Sequence, residues 1–295
     1  MSGWQTRDPS QVGITSAGGN VSSIDFVDAA GEVWTVTVGT DGQLQVTGAV
    51  ADPGTFTGTI VQNLPSIEQE ARSSEEFSPS DIDDLFSWWD AGTLTLNDDD
   101  AVTQWDDLST TANNATQGTS SLQPTFKTNQ INSLPAVRFA SDQLNTGVAK
   151  ALRPVTAFAV VKSNNVGNNR VLIGATTGGV DAGSFGWRHN ASKQNLLREG
   201  VEGVGTSTTN LTSSQWQLWD VTWDSSGHEF GLDGSNDGSG SAGGAPTSRA
   251  IRIGARANES DRWDGDIAEI IVYDRALTSS ERGDVRNYLL TKYGL

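Results

Sequence analysis

Four sets of residues in this 295-residue chain have types suited to chemistry: paired carboxylates, two histidines, acidic runs and ten tryptophans. The nearest approach to a paired-carboxylate strand is Asp266-Ile-Ala-Glu269. Glycoside hydrolysis needs two carboxyl groups projecting into one cleft. Side chains two apart share a strand face, so a spacing of three predicts that Asp266 and Glu269 point to opposite faces. A Ser-His-Asp device would need His189 or His228 as its base, and neither accompanies a Gly-x-Ser-x-Gly elbow. The expectation is a protein that is not an enzyme.

Metal chemistry has one opening. Asn97-Asp98-Asp99-Asp100 and Asp106-Asp107 are oxygen-rich and suit Ca²⁺, but they lack the Asp-x-Asp-x-Asp-Gly order of a calcium loop. A solvated hairpin tip is the simpler reading, and no other cofactor is expected. The chain has no cysteine, which removes disulfides, thiol nucleophiles and thiolate zinc sites together. Tryptophan is the remaining candidate, because an indole face stacks on a sugar ring. Trp34, Trp88, Trp89, Trp219 and Trp223 lie in strand-like or boundary segments, where packing is expected. Trp187 with His189, and Trp263 with Arg262, have polar neighbours near predicted strand ends. These four are the candidate ligand-binding residues, with core packing as the competing role.

The elements that must position them read as β. Val155–Lys162 is a near-continuous apolar run, as in a strand buried on both faces. Trp216–Trp223 alternates, with Trp219, Val221 and Trp223 on one face. In 267–273 the alternation sets Ile267, Ile271 and Tyr273 against Ala268, Ile270 and Val272. Asp233-Gly234 is a hairpin signal, and the Gly/Ser-rich stretch 238–244 reads as a flexible loop. Ser78-Pro79-Ser80-Asp81 has the form of a helix start. Thr278-Ser-Ser-Glu281 is a capping box that opens a closing helix with a Val285, Tyr288, Leu289 stripe.

Three divisions follow. Residues 1–62 read as a small β-meander, 63–78 as a linker and 79–295 as the main domain. The net charge is −17, from 36 acidic and 19 basic residues. Such a surface repels phosphate backbones and anionic lipid, so neither nucleic acid nor membrane is an expected partner. The first residues carry no apolar signal segment, which predicts synthesis and folding in a cytoplasm.

Two stretches resemble the concanavalin A-like (laminin-G-like) family found in bacterial and phage surface proteins. One runs from Leu85-Phe-Ser-Trp-Trp-Asp-Ala91 through Val102-Thr-Gln-Trp-Asp-Asp-Leu-Ser109 to Leu134-Pro-Ala-Val-Arg-Phe139. The other runs from Ile251-Arg-Ile-Gly254 through Trp263-Asp-Gly-Asp-Ile-Ala-Glu-Ile-Ile-Val-Tyr273 to Tyr288-Leu-Leu-Thr-Lys-Tyr-Gly294. The departure is Thr110-Thr-Ala-Asn113, where the family has a Gly-Asn turn. The resemblance implies an all-β jelly-roll sandwich with a short C-terminal helix. It also implies a binding or adhesion module, often for glycans and sometimes with calcium. Residues 1–62 are similar in a general way to the anchoring pieces of tailed-phage virion proteins. That likeness implies a capsid-decorating or accessory protein on the virion surface, made in the host cytoplasm and held to capsid or other virion proteins through its N-terminal segment. The alternative is a glycan-binding adhesin or tail receptor-binding module facing cell-surface glycans. Self-association into a homo-oligomer stays open.

Overall fold

The computed structural model describes residues 77–175, 184–198, 202–256 and 259–295, together with the backbone of three N-terminal strands. Those strands, β1 (Ser23–Val27), β2 (Val33–Val38) and β3 (Leu44–Gly48), pair as an antiparallel meander. Phe26 pairs with Trp34, and Val36 with Val46. They belong to the first of two compact units, Met1–Ser73, and the second is Ser74–Leu295. The segments 28–32 and 39–43 between these strands, and nearly all of the 63–78 linker, lie outside the described residues.

The second unit is a sandwich of two antiparallel sheets. Its strands are β4 (Leu85–Asp90), β5 (Gln104–Trp105), β6 (Ala115–Thr116), β7 (Thr125–Ile131), β8 (Leu134–Ala140), β9 (Leu144–Lys150), β10 (Val155–Ser163) and β11 (Arg170–Ala175). There follow β12 (Phe185–Asn190), β13 (Lys193–Arg198), β14 (Glu202–Thr206), β15 (Trp216–Trp223), β16 (His228–Leu232), β17 (Ser235–Gly240), β18 (Arg249–Ile253) and β19 (Asp264–Tyr273). One helix, α1 (Ser279–Tyr293), closes the chain. The first sheet runs β17-β16-β15-β10-β19-β8-β7, with β4 also beside β19. The second runs β14-β13-β12-β11-β18-β9-β6-β5.

The strand pattern follows from side-chain period and turn chemistry. Asp233 and Gly234 have φ of 48° and 80°, the consecutive positive values of a two-residue hairpin, and join β16 to β17. The stretch expected to be a flexible loop is therefore partly strand: Ser235–Gly240 forms β17 at the sheet edge. Its Gly and Ser content made it read as a loop, and the Asp-Gly hairpin is what brings it back beside β16.

Strands β10 and β19 have apolar side chains on both faces. Ala157, Ala159 and Val161 join the core between the sheets, while Phe158 and Val160 join a second core beneath α1. In β19 the expected alternation fails. Val160 pairs with Glu269 and Val161 with Ile267, so Ala268 is an extra residue in the strand. This bulge sends Ile267, Ile270 and Val272 into the inter-sheet core and Ala268, Ile271 and Tyr273 toward the helix. Asp266 and Glu269 consequently share a face, contrary to the expectation from spacing alone.

The two start signals behave as their chemistry dictates. Ser78 and Asp81 form a reciprocal capping box around a 3₁₀ turn, Pro79–Asp81. Tyr273 donates its hydroxyl to the Pro79 carbonyl at 2.9 Å, tying that turn to the sheet. At α1, Thr278 and Glu281 exchange bonds, and Gly294 ends the helix in the left-handed conformation. Arg275 grips Glu281 with two bonds of 2.9 and 2.6 Å. That grip, aided by the Thr278 amide, holds the Glu281 carboxyl down at about 2.

Helix α1 buries Val285, Leu289 and Tyr293 on the outer face of the first sheet. Leu289→Ala is expected to cost about 2–5 kcal/mol, and Thr278→Ala about 1 kcal/mol through the lost cap. Urea unfolding measures both, and an unchanged midpoint for Leu289→Ala would mean that this face is not seated.

Candidate functional site

Three of the four residues expected to bind ligand meet in the structure, inside the core. Trp187, His189 and Trp263 have no exposed surface. His189 lies 5.3 Å from the Trp263 ring and 5.9 Å from Trp219, both edge-on. Trp187 and Trp263 each pack on Trp219, at 6.3 and 5.6 Å. Arg188 and Asn190, the polar neighbours of Trp187 and His189, occupy the alternate positions of β12 and are half-buried. Arg262 stands outside the cluster, donating to the Ser141 carbonyl at 2.7 Å and the Glu259 carbonyl at 2.9 Å. It holds a turn in place. None of the three enclosed rings has a face open to a sugar.

His189 does meet a serine. Nδ1 lies 3.2 Å from the Val166 carbonyl, which can only accept, so Nε2 accepts from Ser163 Oγ at 2.9 Å. Burial lowers the His189 pKa to about 4, leaving the ring neutral at pH 7. The pair is sealed from solvent, with Ser163 only 2% exposed. His228 is held as tightly: Nδ1 donates to the Ser241 carbonyl at 2.7 Å, and the ring packs edge-on against Phe230. A Cβ on Gly205 would fall 2.0 Å from this imidazole, so β14 approaches it as only glycine permits.

The carboxylates expected to matter are also engaged. Asp266 pairs with Arg138 at 2.6 Å and Lys162 at 2.7 Å. Glu269 receives Lys292 at 2.7 Å, Tyr293 at 2.8 Å and Trp88 at 2.6 Å. Burial, with the charge of Asp90 added, raises the Glu269 pKa, because two carboxylates share one ammonium. Burial alone would lower Lys292, yet those same two carboxylates outweigh it and hold the ammonium above its ordinary value.

In the acidic runs, Asp98 and Asp99 pair with Lys127 at 3.1 and 2.8 Å. Asp107 accepts the amides of Trp88, Ser109 and Asn113, so its oxygens organise the 107–113 loop. Asp106 accepts from Gln104 at 2.6 Å. Among the described residues no group of three or more His, Asp or Glu side chains is gathered as for a metal ion.

A different surface is open. The outer face of β15, β16 and β17 and the first turns of α1 enclose a polar groove of about 440 Å³. Thr222, Glu229 and Ser239 lie in register across its floor, and Asn236 pairs with Gly231 beside them. Ser279, Arg282 and Arg286 form the helix wall, and the Asp224–Gly227 turn closes one end. Behind the wall, Asp220 is fully buried and held by both arginines, with Arg286 at 3.0 and 3.1 Å. Arg282 also pairs with Glu229, and Arg286 donates to Asn236 at 3.0 Å. A Cβ on Gly231 would fall 2.0 Å from Asp220, so the glycine makes room for this clamp.

Sequence reasoning did not find the groove. Its signal is weak: polar residues on the solvent face of alternating strands, and Arg282 and Arg286 four apart on one helix.

Residues 138–281 match the family model described as the concanavalin A-like lectin/glucanases superfamily. The two-sheet sandwich agrees with that match, which spans just under half of the chain and supports a concanavalin A-like jelly-roll domain there. No curated protein matches the chain in sequence. Among solved structures it is similar to Trypanosoma rangeli sialidase in complex with difluorosialic acid, at 14% identity and TM-score 0.50. That match covers 91% of this chain and 44% of the sialidase, so the chain spans less than half of that enzyme's length. It is similar also to the binding domain of Paraclostridial Mosquitocidal Protein 1, at 13% identity and TM-score 0.50, covering 70% of this chain and 52% of that one. The Ruminococcus gnavus IT-sialidase CBM40 bound to α2,3-sialyllactose aligns at 14% identity and TM-score 0.39, over 46% of this chain and 83% of that one. At these identities the likeness is one of fold.

The buried His189 links stability to pH. Its neutral form is favoured in the fold, so the unfolded chain binds the proton first. Its contribution is present above about pH 6.5, the unfolded value, and is lost as pH falls toward 4. The loss reaches about 3 kcal/mol at most. Unfolding measured at about pH 7.5 and about pH 4.5 should show a steeper decline for the native chain than for His189→Gln. Equal slopes would mean that the ring is not held neutral.

Proposed function

We propose that residues 74–295 form a non-enzymatic glycan-binding module whose ligand lies in the groove over β15, β16 and β17. The observation that carries this reading is the groove itself. Ligand sites commonly offer about 300–1,000 Å³, and this one falls within that range. Its charged groups are pinned by one another, while the Thr222 and Ser239 hydroxyls and the Asn236 amide line the floor. Fixed donors and acceptors beside Ser226 and Ser279 suit the hydroxyls of a sugar. The lectin-like fold supports the same class of ligand. The carboxylates of β19 are committed to ion pairs, Asp266 with Arg138 and Lys162 and Glu269 with Lys292 of the helix, which is why binding is preferred to hydrolysis.

A second proposal concerns placement. We infer that the module is displayed on a virion, with residues 1–62 attaching it to capsid or other virion proteins. Its support is the separation of Met1–Ser73 as a compact unit with its own three-stranded sheet. So small a unit has little core of its own to offset its ordering entropy, and it gains from pairing with a partner surface. Quantitative mass spectrometry of purified particles tests it: a chain lacking residues 1–62 should fail to co-purify with particles that retain the full chain.

A glycan array with the full chain tests binding. Ser239→Trp, on the exposed edge strand, should fill the groove, leave the melting temperature unchanged and weaken glycan binding by about tenfold or more. Polysaccharide turnover by the native chain would remove the non-enzymatic part of the reading.

A further inference from the structure

We infer that the groove selects uncharged, hydroxyl-rich saccharides and rejects acidic ones, and that Glu229 sets this selection. The inference rests on the glycan-binding reading of the same groove and names its ligand class.

Two guanidinium groups in a groove wall would ordinarily suggest an anion site. Here they are already spent. Arg286 directs Nε and Nη2 to Asp220 at 3.0 and 3.1 Å and Nη1 to Asn236 at 3.0 Å. Arg282 is divided between Asp220 and Glu229. The carboxylates in and behind the groove are Asp220, Asp224 and Glu229, and the arginines facing them are Arg282, Arg286 and, within reach of Asp224, Arg153. Asp224 is kept ionised, its pKa lowered chiefly by hydrogen bonds from the Ser226 hydroxyl and the Ser226 and Gly227 amides. His228 also lines the groove, but its ring packs edge-on against Phe230 and its Nδ1 donates to the Ser241 carbonyl. An acidic sugar would thus find both wall arginines already engaged, in a chain of net charge −17. A neutral sugar avoids that repulsion, and its hydroxyls can donate to carboxylates and accept from Ser, Thr and Asn.

Glu229 is the pivot because of where it lies. It sits mid-floor between Thr222 and Ser239, and its side chain is 38% exposed. One oxygen takes Arg282 Nη1, and among the described residues the other has no hydrogen bond. That oxygen serves as an acceptor for a sugar hydroxyl and repels a sugar carboxylate. Removing the charge alone, by Glu229→Gln, leaves the shape of the floor and an accepting oxygen for Arg282, which Asp220 still holds. Such discrimination by an introduced or removed repulsive group is how specificity between similar ligands is set.

The test uses the full chain on one array of neutral oligosaccharides and their sialylated and uronic-acid counterparts, followed by calorimetry at about 0.15 M salt. The native chain should prefer neutral ligands by about tenfold, and Glu229→Gln should narrow that preference to about threefold or less. Ser239→Trp should abolish both kinds of binding with an unchanged melt. Preference of the native chain for acidic glycans, lost in Ser239→Trp, would overturn the selection while leaving the groove as a glycan site. An unaltered preference in Glu229→Gln would remove the role of that residue. Glycan binding indifferent to Ser239→Trp would place the ligand elsewhere, and no binding to any glycan would overturn the glycan reading and this inference together.

Discussion

The constraint on which this domain depends is that its two central strands have no face for water. Strands β10 and β19 carry apolar side chains on both sides, so one sheet face closes on the other sheet and the opposite face needs a cover. Helix α1 is that cover, and its capping box, its left-handed Gly294 and its Leu289 anchor all serve to seat it. Burying a side chain such as Leu289 contributes about 1.5–3 kcal/mol relative to leaving it in water, so an uncovered face would be a large liability.

The cover is also an electrostatic one. Arg282 and Arg286 reach Asp220 at one end of the helix, and Lys292 reaches Asp90 and Glu269 at the other. The sheet supplies carboxylates where the helix supplies cations. Buried pairs of this kind are costly to break from one side, since the partner is left uncompensated in low dielectric. They fix the helix along its axis and in rotation, which apolar contacts alone do less strictly. The wall of the groove inherits that rigidity, because Arg282 and Arg286 belong both to the clamp and to the groove lining.

Much of the fold was legible because it rests on local chemistry. The capping boxes at Ser78 and Thr278, the alternating Trp216–Trp223 strand and the Asp233-Gly234 hairpin are each specified by adjacent residues. What was not legible depends on pairing between distant segments. The Ala268 bulge is invisible in β19 itself and appears only through its register with β10, yet it decides that Asp266 and Glu269 share a face. The hairpin at Ala191-Ser192 has positive φ at both residues without the Asn or Gly that usually announces it. The candidate site misled for a related reason. The polar flanks of Trp187 mark alternation along β12, which places the tryptophan itself inside, and Trp263 is buried just ahead of β19. The groove is composed of residues from β15, β16, β17 and α1 that no single sequence window contains.

The doubly buried centre also bears on how the chain reaches its fold. Val155–Ser163 is synthesised well before Asp264–Tyr273, its neighbour across the sheet. At about 5–20 residues per second, β10 waits on the order of 5–20 s for β19 to leave the ribosome. For roughly the first half of that interval the almost wholly apolar strand has neither sheet neighbour, and afterwards it has β15 on one side and an open edge on the other. Pairings of this separation form slowly and leave strands vulnerable to foreign partners. The nascent chain is therefore a natural client for chaperones that shield extended apolar segments, and its yield on expression should be governed by that interval more than by the stability of the finished sandwich.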